Sequence, residues 1–178
     1  MKKGRTFGLI LLLGTLILYS FGLPGNIRKK MEKEVQKTFD VEEFGLSEVA
    51  VSESVNSGLP TGVNGEKLFR VEQEGHLLGY VFVDEAPSKT AMFDFLVIFN
   101  SELEIVNSKV LVYREEYGGE IGSNRWLRQF EGKTGNDRVS PETNIDAISG
   151  ATISVRSMTR SIDNLLQTIG ILQQKQLL

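Results

Sequence analysis

A chain of 178 residues with 40% apolar content is long enough for one domain with its own core and a short appendage. It has no cysteine and a single histidine, His76, which excludes disulfides, thiolate metal sites, iron–sulfur clusters, a cysteine nucleophile and a multi-histidine metal centre within one chain. The net charge of −3 hides an asymmetry: residues 1–37 carry eight basic and two acidic side chains and residues 38–178 carry 12 and 21, so the globular part repels a nucleic-acid backbone and no nucleic-acid partner is expected.

Residues 7–23, FGLILLLGTLILYSFGL, form an uncharged run of 17 behind Lys2, Lys3 and Arg5. Such a run enters a membrane. Ser20 and Gly22 stand where a secretory cleavage site has its small residues, but 17 apolar residues exceed an ordinary signal core, and the reading is an uncleaved anchor in contact with lipid. Arg28, Lys29 and Lys30 beyond the run nearly balance the positive charge before it, so charge alone leaves the orientation open.

Residues 27–39 read as a short helix, with Ile27, Met31 and Val35 spaced by four. It is a stalk or the first helix of the domain. Residues 43–65 mix Ser, Asn, Gly and one Pro, which reads as loop. Strands are expected over residues 77–83, 92–99 and 105–113, with turns near Ala86-Pro87-Ser88 and Asn100-Ser101-Glu102, making an antiparallel meander. The middle strand is apolar at nearly every position and should be covered on both faces. Asp94 inside it is read as a residue near the strand start that still faces water. His76 is read as a strand-edge or turn residue.

A glycine-containing loop follows at residues 114–125, then a short helix around residues 126–130. Glycines 118, 119 and 122 make neither a dinucleotide fingerprint nor a P-loop. Tyr117 and Trp126 would suit a flat conjugated ring; Trp126 and Phe130, four apart, are read first as core anchors. Glu115 and Glu116 read as a solvated edge. The fold class is thus α+β, an antiparallel sheet packed with helices and preceded by one N-terminal membrane helix. The organisation is an anchor or signal over residues 1–25, a helical stalk and loop over 26–64, and a domain over 65–178.

The last segment carries the chemistry. Apolar residues Ile153, Met158, Ile162, Leu165, Leu166 and Ile169 recur at helical spacing, which puts Thr152 in the first turn of a helix, behind the flexible Gly150. A helix start offers unpaired N–H groups and the positive end of the macrodipole, and these suit a phosphate held at the Thr hydroxyl. They equally suit a Thr that only caps the helix. The residues alone leave both roles open.

The string Asp146-Ala147-Ile148-Ser149-Gly150-Ala151-Thr152-Ile153-Ser154 resembles the flavinylation motif of the FMN-binding domain family, found in subunits of the sodium-pumping NADH:quinone reductase, in Rnf complexes and in small extracytoplasmic proteins. The resemblance covers about residues 65–170. In that family a flavin transferase esterifies the motif Thr to the phosphate of FMN, which implies Thr152 here. It further implies that Gly150 and Ala151 keep the turn small, that Ser149 and Ser154 bond phosphate oxygens, and that Asp146 serves transferase recognition or turn shape. Glu115, Tyr117 and Gly118 resemble the family's Glu-Thr-Pro-Gly stretch, without its proline, and are added as cofactor-binding candidates.

Read this way, the protein is an electron carrier, or a subunit of an oxidoreductase, in place of a self-sufficient enzyme. It carries covalent FMN on the extracytoplasmic side of a bacterial cytoplasmic membrane, on a single span, beside membrane redox partners, or is secreted into the same compartment if the N-terminal segment is cleaved. The alternative is an anchored binding or scaffold module in which Thr152 is a helix cap.

Overall fold

The structure, a computed structural model, describes residues 22–63 and 65–178. The expected membrane run therefore lies, but for Gly22 and Leu23, outside the described residues. Among those residues no helix is long and apolar enough to cross a membrane.

Five strands form one antiparallel sheet in chain order: β1 (Gly45–Glu48), β2 (Leu68–Gln73), β3 (His76–Pro87), β4 (Met92–Asn100) and β5 (Ile105–Val112). The α+β class and the meander of the last three strands are as expected. β3 and β4 pair from Gly79↔Asn100 to Pro87↔Met92. His76 opens β3 at the turn after Gly75, exposed as expected. β1 and β2 were not legible in the sequence. β1 lies inside the stretch read as loop, where Val49 and Val63 are also buried. Its burial pattern shows one half-buried residue in four, so no alternation marks it.

Alternation along β4 sends Phe93, Phe95, Val97 and Phe99 to one face and Leu96 and Ile98 to the other, and all six are fully buried. Helix α1 (Gly25–Phe39) covers the second face with Ile27, Met31 and Val35. Each such side chain is worth about 1.5–3 kcal/mol on leaving water. Of the two roles open to this helix, stalk or first helix of the domain, the packing selects the second. Lys30 also donates to the Leu111 carbonyl (2.7 Å) and Asn107 to the Thr38 hydroxyl (2.8 Å), which blunts the free edge of β5.

Asp94 departs from expectation. It is 5% exposed, on the α1 face. Arg114, past the end of β5, reaches back over the strand: its Nη2 stands 2.6 Å from Asp94 Oδ2 and its Nη1 donates to the Met92 carbonyl (2.8 Å). Only the first residue of β4, Met92, is exposed; by the third position the strand is covered on both faces, so the carboxylate needs a cation.

After a one-turn helix α2 (Glu53–Asn56), the other face is covered by a short helix α3 (Asn124–Leu127) with the 3-10 turn Arg128–Phe130, and by the long helix α4 (Thr152–Gln174). Val155, Met158, Ile162, Leu165, Leu166, Ile169 and Leu172 of α4 pack on the β4 phenylalanines and on Phe82. Ile153, expected on this buried stripe, is 50% exposed; Val155 takes its place as the first core residue of the helix. Two loops are tied to α4. Asp163 accepts Arg138 Nε (2.8 Å) and Nη2 (2.6 Å) together with the Val139 N–H (3.0 Å), and these bonds, led by the guanidinium, hold its carboxyl below the usual carboxylate range. Thr168 exchanges hydrogen bonds with the backbone of Thr61.

At Gly170 the loop crosses α4 backbone to backbone: a Cβ there would stand 2.8 Å from the Gly135 carbonyl oxygen. Alanine in a helix normally outranks glycine by about 1 kcal/mol. Overpacking costs about 1–3 kcal/mol and reverses the sign here. Gly170→Ala should therefore lower the urea midpoint of unfolding, and a raised midpoint would show that the crossing loop yields.

Candidate functional site

Thr152 is the first residue of α4. The residue before it, Ala151, holds the N-cap position and supplies no side-chain cap. Helical bonding begins with the Val155 N–H donating to the Ala151 carbonyl (2.9 Å). The Thr152 hydroxyl is exposed and has no hydrogen-bond partner among the described residues. The capping reading of Thr152 is therefore overturned: the hydroxyl lies one residue too far along the chain, beside the N–H groups of Thr152, Ile153 and Ser154, which have no carbonyl earlier in the helix to bond. An exposed, unbonded hydroxyl beside free N–H groups and a positive dipole end fits a phosphoester whose remaining oxygens need donors.

Gly150 turns the chain into the helix at φ 82°, with the Ala151 N–H donating to the Ile148 carbonyl (3.1 Å). Gly118 closes under this turn. At φ 82° it is in the left-handed region, and a Cβ would stand 2.9 Å from the Tyr113 hydroxyl and 3.2 Å from Ala151 Cβ. Only glycine lets the 114–119 loop lie this close to the motif. Tyr113 in turn shares a hydrogen bond of 3.1 Å with Ser154, whose side chain is buried. Ser154 is thus committed inward, to the end of β5, and not turned toward the exposed hydroxyl. Ser157, one turn on, donates to the Pro87 carbonyl and pins α4 to the β3–β4 hairpin.

Ser149 is exposed beside Gly150, and Tyr117, 80% exposed, lies on the rim next to Gly118. Asp146 is held through its backbone: its N–H donates to Gln129 Oε1 (2.8 Å) and its carbonyl accepts from Trp126 Nε1 (2.7 Å). Its carboxylate stays at the surface. A cavity of about 340 Å3 lies between these segments, walled by Trp126 and Gln129 on one side and residues 146–149 on the other. Trp126 is both a core anchor, 4% exposed and edge-on to Phe130 at 5.2 Å, and a wall of this cavity.

Glu115 is neither a free edge residue nor a group facing the motif. Its carboxylate accepts from the Ser88 hydroxyl (2.7 Å), the Thr90 N–H (2.6 Å) and hydroxyl (2.8 Å), and the Ala91 N–H (3.2 Å). These bonds, Ser88 foremost, hold its pKa down at about 2. It shapes the site by latching the hairpin that Ser157 grips. Tyr113, Gln129 and Ser157 were missed as site residues, because their partners lie 17 to 70 positions away in sequence, and Trp126, read first as a core anchor, also bonds the motif backbone.

Residues 90–167 match the model of the FMN-binding domain. This region belongs to the FMN-binding domain family. A solved structure, that of NqrC from Shewanella oneidensis, aligns with a TM-score of 0.52 at 17% identity, over 84% of this chain and 98% of that chain. At that identity the likeness is one of fold. No curated protein matches the sequence.

The FMN-binding domain runs from the hairpin latched by Glu115 to the second half of α4, so that latch sits at its first residues. Glu115 has a folded pKa of about 2 against an ordinary 4.5, so its contribution is complete above pH 4.5 and is lost as pH falls toward 2. Amide exchange at Thr90 and Ala91 should lose protection across that window. In Glu115→Gln protection should be weak throughout; a wild-type profile with no change down to pH 2 would count against the latch.

Proposed function

We propose that this protein carries FMN joined through its phosphate to Thr152 and works as an electron carrier. Its domain stands on the extracytoplasmic side of a bacterial cytoplasmic membrane, anchored through residues 7–23 and passing electrons to or from membrane redox partners. One observation carries the attachment: in an FMN-binding domain, the motif Thr presents a hydroxyl that caps nothing, at the exposed start of a 23-residue helix. The free N–H groups of that first turn are donors for the phosphate oxygens. With no cysteine and a single histidine the chain offers no thiol or multi-histidine redox centre, and bound FMN would supply the electron-accepting ring.

Attachment requires an activated donor. The Thr152 oxygen forms a new bond to phosphorus only if another group leaves with its electron pair. A flavin nucleotide whose phosphate is part of an anhydride, such as flavin adenine dinucleotide, meets that need. The P–O bond to Thr152 forms, the anhydride P–O bond breaks, a nucleoside monophosphate departs, and the hydroxyl proton passes to a base on the flavin transferase. No electrons are transferred in this step. The ester keeps the cofactor from diffusing away outside the cell, and the anchor keeps the carrier near its partners.

The scaffold alternative loses its main support, since Thr152 is not the cap. Co-expression of the full chain with a flavin transferase should give a fluorescent band in a denaturing gel and a mass increase of one FMN ester. Thr152→Ala should remove both without unfolding the domain. Colourless protein under competent conditions, or label retained by Thr152→Ala, would overturn the assignment.

A further inference from the structure

Resting on that reading, we infer that Trp126 and Gln129 are positioning residues for flavin attachment, holding the acceptor segment in the shape a transferase recognises. Between Ile145, buried in the core, and Ala151, buried under α4, the chain has no regular structure, and its side chains at Asp146, Ala147 and Ser149 face solvent. A segment so exposed would sample many conformations. It is instead held by both polar groups of one residue: Asp146 N–H to Gln129 Oε1 at 2.8 Å and Asp146 carbonyl to Trp126 Nε1 at 2.7 Å.

The two clamping side chains are themselves fixed. Gln129 Nε2 donates to the Trp126 carbonyl (3.0 Å), which turns its oxygen toward Asp146. The Trp126 ring is buried and lies edge-on to Phe130 at 5.2 Å. The short α3 turn thus presents one donor and one acceptor at fixed positions. Because the clamp reads only the backbone of Asp146, it orders the motif while leaving the Asp146 carboxylate, Ser149 and the Thr152 hydroxyl exposed for a partner enzyme. A segment ordered beforehand is bound without a further loss of conformational entropy. When the competent conformer becomes a minor one, apparent affinity falls by its population.

The test uses the full chain with purified flavin transferase and flavin adenine dinucleotide, following in-gel fluorescence over time. Gln129→Leu and Trp126→Phe each remove one clamp bond while keeping an apolar side chain in place. Each should raise the transferase KM for this protein about five- to tenfold, with kcat within about twofold. Amide exchange over residues 146–149 should rise in the same variants. Ile98→Val serves as the control, since it weakens the core on the opposite face and leaves the clamp intact. An unchanged KM in both clamp variants, or an equal rise in Ile98→Val, would overturn the inference. Wild-type protein that takes no label would instead overturn the attachment to Thr152 itself.

Discussion

Because side chains alternate along a strand, a run that is apolar at every position from Phe95 to Phe99 admits no arrangement in which one face meets water, and the rest of this molecule is built to cover it. Helix α1 closes one side and α4, with α3, closes the other. That constraint decides what happens to Asp94, which shares the strand and cannot reach solvent, so Arg114 comes to it. It also decides where α4 begins. The core stripe of α4 starts at Val155 with Ala151 and Ser154 buried beside it, while Thr152 and Ile153 project from the opposite side of this first turn and stay exposed.

The site follows from how that projecting end is steadied. Three long-range contacts hold it from three directions: Gly118 beneath Ala151, Tyr113 against Ser154, and the Pro87 carbonyl on Ser157. None of them uses the Thr152 hydroxyl. A reactive group at a helix N-terminus is useful only if the helix does not need that group for its own cap, and here the helix starts without a side-chain cap at all. The local cost of an uncapped start is offset by tertiary packing further along α4, where seven apolar side chains are buried.

Charge is used sparingly at this end of the molecule. The nearby carboxylate that sequence likeness brings forward as a ligand, Glu115, is saturated by four donors of the 88–91 turn, two N–H groups and two hydroxyls, and is not a free negative group at this end of the molecule. Asp146 is tethered by its backbone, so its carboxylate remains available at the surface. Both are cases in which the residue type suggested one role and the hydrogen-bond partner assigned another.

By itself the sequence determined the α+β class, the last three strands, the double burial of β4, the amphipathic α4 and the motif that contains Thr152. All of these rest on local periodicity or on a contiguous string, which survive without knowledge of the fold. The tertiary structure alone decided the rest. β1 carries no alternation, since an edge strand with one half-buried residue in four is defined by its pairing and not by its own pattern, and β2, paired on both sides, breaks alternation with the adjacent buried Leu68 and Phe69. Whether Thr152 caps its helix, whether Asp94 meets water, where the Glu115 carboxylate is spent and what holds Asp146 all depend on partners distant in sequence. Hydrogen-bond geometry between distant segments has no signature in a linear pattern, because it exists only once packing has set the segments side by side.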